Sequence, residues 1–208
     1  MSENGRTVRH GDQMVCKFGM LIPSASSESK SQETVLLPQN LASDLKNNFK
    51  CTLCRSTPMS SPVLATSCCG FILGCQDCVN DYYANYNTHC PSCNNPEGYK
   101  KTFRLHGIQE ILQALGNGVR GVDSALFAES LQCTMCDSFP VSSAPVISTC
   151  CGRVVGCSDC IKRWHQTKDQ CPHCRKDDGK NNIVRLRGME RIFKPLKEFF
   201  DTIERQSS

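Results

Sequence analysis

The stretch Cys68-Cys69-Gly-Phe-Ile-Leu-Gly-Cys75-Gln-Asp-Cys78 occurs a second time as Cys150-Cys151-Gly-Arg-Val-Val-Gly-Cys157-Ser-Asp-Cys160, 82 positions further along the chain. At the same offset Cys51-Thr-Leu-Cys54 recurs as Cys133-Thr-Met-Cys136, and Cys90-Pro-Ser-Cys93 recurs at an offset of 81 as Cys171-Pro-His-Cys174. Self-similarity at a fixed spacing indicates that one structural unit is present twice.

The similarity continues past the cysteines into segments with helical periodicity. In each repeat a short strand-like segment and a glycine precede four apolar residues at positions i, i+3, i+4 and i+7 of one helix face. These residues are Ile108, Ile111, Leu112 and Leu115 in the first repeat, and Met189, Ile192, Phe193 and Leu196 in the second. The second of these helices is expected to continue to Ile203, with a bend or break near Pro195.

Further helices are predicted in front of the cysteines. Ser43 and Asp123-Ser124 are suitable N-caps for segments that reach Phe49 and Leu131. We expect all of these helices to pack on small cysteine-rich units. Dimerisation through the C-terminal helix is the alternative for the last of them.

Composition shifts divide the chain into four parts. Residues 1–40 are polar and serine-rich, which predicts a mostly disordered tail. A first unit covers residues 41–115, and a second covers residues 123–208. The glycine-rich stretch between them, residues 116–122, is predicted to be a flexible linker.

The cysteine count indicates metal binding. The chain has 208 residues and 17 cysteines, of which eight belong to each repeat and only Cys16 is left over. Eight thiolates can complete two tetrahedral zinc sites, so four zinc ions per chain are expected. Iron–sulfur clusters use the same ligands, and eight disulfides would need an oxidising compartment. Because the apolar share is only 39%, we expect zinc rather than one large core to stabilise the fold.

Charge and hydropathy exclude several classes of protein. Sixteen thiolates and four zinc ions would change the formal charge of +4 to about −4, which removes the apparent basicity. No run of about 18 apolar residues exists, and the polar N-terminus lacks the apolar core of a signal peptide. We therefore expect an intracellular protein, cytoplasmic or nuclear, without a membrane partner.

The order of the ligand pairs resembles a RING finger in an all-cysteine form, present twice, over residues 51–93 and 133–174. The resemblance implies a small, metal-bound α+β fold with two tandem cross-braced zinc modules, each with flanking helices. In this family the first and third ligand pairs share one zinc, and the second and fourth share the other. The implied sets are Cys51, Cys54, Cys75 and Cys78; Cys68, Cys69, Cys90 and Cys93; Cys133, Cys136, Cys157 and Cys160; and Cys150, Cys151, Cys171 and Cys174.

The second ligand pair departs from the family pattern. Its cysteines are adjacent, and five residues rather than two separate them from the next knuckle. Adjacent cysteines crowd the backbone around one ion. His89, His165 and His173 are the alternative ligands, although His173 is expected to be exposed.

RING fingers typically act as ubiquitin ligases, which bind a ubiquitin-conjugating enzyme and form no covalent intermediate. The resemblance implies that the second repeat binds the conjugating enzyme and ubiquitin, and promotes ubiquitin transfer to a protein substrate. The implied contact residues are Met135, Trp164, Pro172 and Arg175, with Leu53, Tyr82 and Pro91 at the equivalent places of the first repeat. Asn94 stands where the second repeat has Arg175.

Two other functions remain open from the sequence. A zinc-built interaction module without transfer activity is favoured by the altered second pair and by Asn94. A nucleic-acid-binding protein is disfavoured, since no basic recognition helix lies between the knuckles and aromatic residues are few. A ligase with its own ubiquitin thioester would need a free cysteine, and every cysteine of the repeats is assigned to zinc.

Overall fold

The computed structural model describes residues 34–60, 62–116, 121–141 and 145–207. Most of the predicted tail, Cys16 and residues 117–120 of the predicted linker lie outside this part of the chain. The described residues belong to one compact unit. The fold is a small α+β structure in which the two repeats have the same order of elements.

The range predicted as tail includes a strand and the start of a helix. Strand β1 (Thr34–Leu36) and helix α1 (Gln39–Asn48) precede the first cysteine. Helix α1 follows Pro38 rather than the predicted cap Ser43, because proline is well tolerated at a helix start. The helix is held in place by Leu41 and Leu45, which are both buried.

The first repeat contains a three-stranded antiparallel sheet in the order β3-β2-β4. Its strands are β2 (Val63–Thr66), β3 (Ile72–Cys75) and β4 (Thr102–Arg104). Helix α2 (Gln76–Asn85) follows β3 directly, and a 3-10 turn, Gly98–Lys101, leads into β4. The predicted helix after the sheet is present as α3 (Ile108–Gly116).

The second repeat repeats this arrangement. Strand β5 (Gly121–Asp123) and helix α4 (Ser124–Leu131) lead into a sheet of order β7-β6-β8. The sheet strands are β6 (Pro145–Ser148), β7 (Arg153–Cys157) and β8 (Ile183–Arg185). Helix α5 (Ser158–Trp164) follows β7, and the 3-10 turn Gly179–Asn181 precedes β8.

The C-terminal helix α6 (Glu190–Ser207) continues through Pro195. No break interrupts the helix at Pro195, and Phe193 and Leu196 on either side of the proline are both buried. Met189, Ile192 and Phe200 are also buried. The apolar face of α6 therefore packs within this chain, as predicted, and dimerisation through it stays an untested alternative.

The two repeats are joined by reciprocal contacts. Helix α1 packs against α6, and α3 packs against α4. Strand β1 pairs antiparallel with β5, which places Val35 opposite Val122. The strand β5 thus occupies the end of the segment that was predicted to be a flexible linker.

One apolar core is shared by both repeats. It includes Leu45 and Leu105 of the first repeat together with Phe127 and Leu186 of the second, all of them fully buried. Two smaller apolar clusters each belong to one sheet. The expectation that no single large core forms is wrong, because the repeats combine their few apolar residues in one place. No helix of the described chain is long and apolar enough to cross a membrane.

Candidate metal centres

The sixteen cysteines of the repeats lie in four clusters of four, and the sulfur atoms of each cluster are within 4.8 Å of one another. The clusters are Cys51, Cys54, Cys75 and Cys78; Cys68, Cys69, Cys90 and Cys93; Cys133, Cys136, Cys157 and Cys160; and Cys150, Cys151, Cys171 and Cys174. These are the four sets implied by the resemblance, with the adjacent cysteines included. We refer to the first and third sets as the knuckle-one clusters and to the other two as the twin-cysteine clusters.

The sulfur spacing fits one tetrahedral ion per cluster. A Zn–S bond of about 2.3 Å requires sulfur atoms about 3.8 Å apart. The Sγ atoms of Cys68 and Cys93 are 3.4 Å apart, and those of Cys69 and Cys90 are 4.0 Å apart. All sixteen cysteines are free of disulfides. Each cluster can therefore hold a metal ion, and a set of four soft thiolates is compatible with zinc.

Four C-x-x-C segments adopt the same turn. The carbonyl of the first cysteine accepts a hydrogen bond from the N–H four residues later, as Cys171 does from Arg175 at 3.0 Å. The residue that donates this bond has a positive φ in all four turns: Arg55, Asn94, Asp137 and Arg175. The turn directs both sulfurs of the segment to the same side, where the ion would bind.

The third ligand pair of each repeat sits at the junction of a strand and a helix. Cys75 is the N-cap of α2, and Cys157 is the N-cap of α5. The positive end of each helix dipole therefore faces a knuckle-one cluster and favours its thiolates. A glycine is required just before each of these cysteines, since a Cβ on Gly74 would lie 2.4 Å from the sulfur of Cys51.

Hydroxyl groups contact the sulfurs at equivalent places in both repeats. Ser56 lies 3.0 Å from the sulfur of Cys54, and Ser138 lies 3.2 Å from that of Cys136. At the twin-cysteine clusters the hydroxyls that contact the sulfurs belong to Thr66 and Ser148, which are both fully buried. Thr66 lies 3.0 Å from the sulfur of Cys68, and Ser148 lies 2.9 Å from that of Cys150. Groups of this kind orient ligands and tune their basicity.

Sequence reasoning missed these hydroxyls, although a signal was present. Residues 56 and 138, and residues 66 and 148, are related by the same offset of 82 as the cysteines. Both members of each pair carry a hydroxyl group, which indicates that these residues belong to the repeated site.

The thiols of each cluster differ in acidity. One in each has a lowered pKa: Cys54, Cys93, Cys136 and Cys171. For Cys54, hydrogen bonds from Ser56 lower the pKa to about 6. Burial raises the pKa to about 12 at Cys69, Cys78 and Cys151. Thiols so close together therefore do not all ionise in the absence of metal. A bound cation would supply the positive charge that stabilises all four thiolates.

No histidine of the described chain belongs to a cluster. His89 contacts the side chain of Asn87. His165 is buried, with Nδ1 2.9 Å from the carbonyl oxygen of Lys168. His173 is exposed, as expected. The alternative that histidines replace the adjacent cysteines as ligands is not supported by this geometry.

The predicted contact residues of the second repeat flank ligands of both of its clusters: Met135 precedes Cys136, and Pro172 and Arg175 lie within and directly after the Cys171–Cys174 knuckle. Trp164 is half-buried, and its Nε1 donates to the carbonyl of Gln170 at 2.8 Å. The guanidinium of Arg175 and the ammonium of Lys168 lie 5.5 Å and 4.5 Å from the centre of the Trp164 ring. Met135 is half-buried, whereas Pro172 is buried. Three of the four residues are thus accessible to a partner.

The first repeat has a different surface at the equivalent place. Leu53 and Tyr82 line an open depression of about 440 Å³, together with Asp81 and Tyr86. The ring of Tyr82 is stacked on that of Tyr86 with 6.3 Å between centroids, and Tyr86 is 77% exposed. By the offset of 82, Asp81 and Tyr86 correspond to Arg163 and Lys168 of the second repeat. At these two positions the first repeat has a carboxylate and a tyrosine, where the second has two basic side chains.

No protein-family model matches this sequence, and no curated protein is significantly similar to it. The geometry of the clusters therefore carries the functional argument.

Proposed function

We propose that this chain is a zinc-binding ubiquitin ligase built from two tandem RING-like modules. The observation that carries the proposal is the interleaving of the clusters along the chain. Ligands of the knuckle-one cluster at Cys51, Cys54, Cys75 and Cys78 alternate in pairs with those of the neighbouring twin-cysteine cluster. This cross-braced order, found in both repeats, is what the RING resemblance implies.

The metal is zinc, with four ions per chain. All ligands are thiolates, and their spacing fits a tetrahedral ion. The bound ions would crosslink loops that are otherwise fixed only by short strands, and they would hold the surface between the knuckles rigid. Sixteen unbridged thiols match a reducing compartment inside the cell.

The second module binds the conjugating enzyme. Met135 and Trp164 supply a shallow apolar contact beside the zinc ligands, and Arg175 supplies a planar guanidinium that can donate to two partners at once. The module itself would make no bond to ubiquitin. It would act by restricting the conjugating enzyme's thioester-linked ubiquitin to reactive orientations.

A second candidate function is a zinc-built interaction module without transfer activity. It is favoured by the environment of Trp164, since Lys168 and Arg175 both stack on this ring within the chain. Pro172, the fourth predicted contact, is buried. A partner would have to displace these contacts before it could use the indole ring.

An autoubiquitination assay with a panel of conjugating enzymes tests the proposal. The intact protein should form ubiquitin chains, and Trp164→Ala should lose most of this activity. Arg191→Ala, an exposed arginine on α6 far in sequence from the knuckles, serves as the control and should retain activity. Absence of chains with every conjugating enzyme, for a protein that carries four zinc ions, would favour the interaction module.

A further inference from the structure

The twin-cysteine clusters lie where the two repeats meet, and we infer that each is stabilised by contacts from the opposite repeat. Metal loading of these two centres and docking of the repeats are then one cooperative event. The inference rests on the metal binding proposed above, and adds that the centres are linked to each other.

Reciprocal backbone hydrogen bonds support this link. The carbonyl oxygen of Gly70, the residue after Cys69, accepts from the N–H of Arg187 in the second repeat at 2.8 Å. The carbonyl oxygen of Gly152, the residue after Cys151, accepts from the N–H of His106 in the first repeat at 2.9 Å. Each pair of adjacent cysteines is thus followed directly by a bond to the other repeat.

The approach at these two glycines leaves no room for a side chain. A Cβ on Gly70 would lie 2.2 Å from the carbonyl oxygen of Arg185, and one on Gly152 would lie 2.0 Å from that of Arg104. Both glycines have a positive φ, of 74° and 67°. The turns that carry the adjacent cysteines are therefore shaped to accept the strand ends of the opposite repeat.

Charge at the junction also favours a loaded centre. Cys68 and Cys69 line a cavity of about 610 Å³ with Arg185, Arg187 and Glu190 of the second repeat. A zinc ion with four thiolates carries a charge of about −2. Arg185 is 3.1 Å from Glu190, whereas Arg187 has no carboxylate within salt-bridge distance in the described chain. The guanidinium of Arg187 lies 6.0 Å from the centre of the Phe71 ring in the first repeat, two residues after Cys69. From there its positive charge would stabilise the charge of the loaded centre across the junction.

The coupling is reciprocal by thermodynamic necessity. If the opposite repeat stabilises a loaded twin-cysteine cluster, the loaded cluster stabilises the docked arrangement by the same free energy. Undocking one junction should therefore weaken the metal centre at the other, because both junctions connect the same two repeats.

Pulsed alkylation with N-ethylmaleimide, read out by peptide mass spectrometry, reports the protection of each cysteine in the zinc-loaded full chain. We expect Gly152→Ala to increase the alkylation rate at the first repeat's twin-cysteine cluster about tenfold. Gly188→Ala is the matched control, since Gly188 also has a positive φ of 82° but has open space around its Cβ position. It should leave the rate at the first repeat close to that of the wild type.

Arg187→Ala provides a second variant that keeps the backbone bond and removes the exposed guanidinium together with its contact on the Phe71 ring. It should increase alkylation of Cys68, Cys69, Cys90 and Cys93 by about threefold, whereas Arg191→Ala should not. If the wild type binds four zinc ions and both test variants leave these rates unchanged, the inference is wrong and zinc binding stands. A wild type without metal would overturn the proposed function itself.

Discussion

The guanidinium carbon of Arg175 lies 5.5 Å from the centre of the Trp164 ring. Arg175 also occupies the positive-φ position of its knuckle, with φ of 62°. Its backbone is therefore held by the C-x-x-C turn while its side chain stays exposed beside the indole ring. A backbone fixed by the turn and an exposed guanidinium beside the indole ring are suited to a contact at one defined position.

Exchange of the residues at positions 94 and 175 should change ubiquitin transfer without changing zinc content or stability. Arg175→Asn places in the second repeat the residue found at Asn94, which adopts the same turn with φ of 60°. Asparagine tolerates this conformation, so zinc content and stability should stay unchanged. Ubiquitin transfer should fall about tenfold or more, since a charge-assisted hydrogen bond is lost.

Autoubiquitination rates at matched zinc content would check this. Asn94→Arg, which changes only the first repeat, is the control and should not reduce transfer. Full activity of Arg175→Asn would remove Arg175 from the proposed mechanism.

Removal of the Ser148 hydroxyl should weaken one metal centre. This buried group lies 2.9 Å from the sulfur of Cys150 and 3.3 Å from that of Cys171. Loss of such a partner typically reduces metal affinity about tenfold to a hundredfold. Competition with a chromogenic chelator should therefore show one weaker site of four in Ser148→Ala. Ser67→Ala removes a hydroxyl that bonds to the carbonyl of Lys101 and to no sulfur, and should behave as wild type.

Metal retention should depend on pH. Zinc binds thiolates, and burial raises the pKa of Cys69 and Cys151 to about 12 in the absence of metal. These thiols are protonated at neutral pH and must release protons on binding, so affinity rises with pH and falls in acid. Zinc content after dialysis should decrease from about pH 7 to about pH 4. A constant content over this range would contradict thiolate ligation.

Truncation of Phe127 should destabilise both repeats together. This side chain is fully buried in the shared core, and its ring packs edge-on against Phe200 at 5.8 Å. Phe127→Ala should lower the free energy of unfolding by about 3–5 kcal/mol, in a single denaturant transition that releases all of the zinc. Tyr86→Ala, at an exposed position, should change it by less than about 0.5 kcal/mol. Two separate transitions would contradict a shared core.

The four cysteine sets could be predicted because the RING resemblance assigns alternate ligand pairs to the same ion. The order of the pairs along the chain then determines each set. The helix at Ile108–Gly116 was also predictable, since four apolar residues at i, i+3, i+4 and i+7 are a strong local signal of a helix. By contrast, the pairing of β1 with β5 joins segments about 87 residues apart, and three-residue strands carry too little pattern to be detected.

The shared core was mispredicted for a related reason. The expectation rested on the 39% apolar share of the whole chain, which does not show where in the fold those residues collect. Leu105 and Leu186 become core residues only because the repeats face each other, and periodicity within one repeat contains no information about that partner. The repeat marks Gly70 and Gly152 as equivalent positions, but it does not indicate that their lack of a side chain is needed at the junction.

Strand β1 of the first repeat and strand β5 of the second pair within one polypeptide. Two copies of a module that had to meet by diffusion would separate when diluted, and their assembly would follow the cellular concentration. Here the second copy is covalently tethered to the first, so its effective concentration does not depend on how much protein the cell makes. A low-abundance molecule would therefore retain both metal-bearing halves in register.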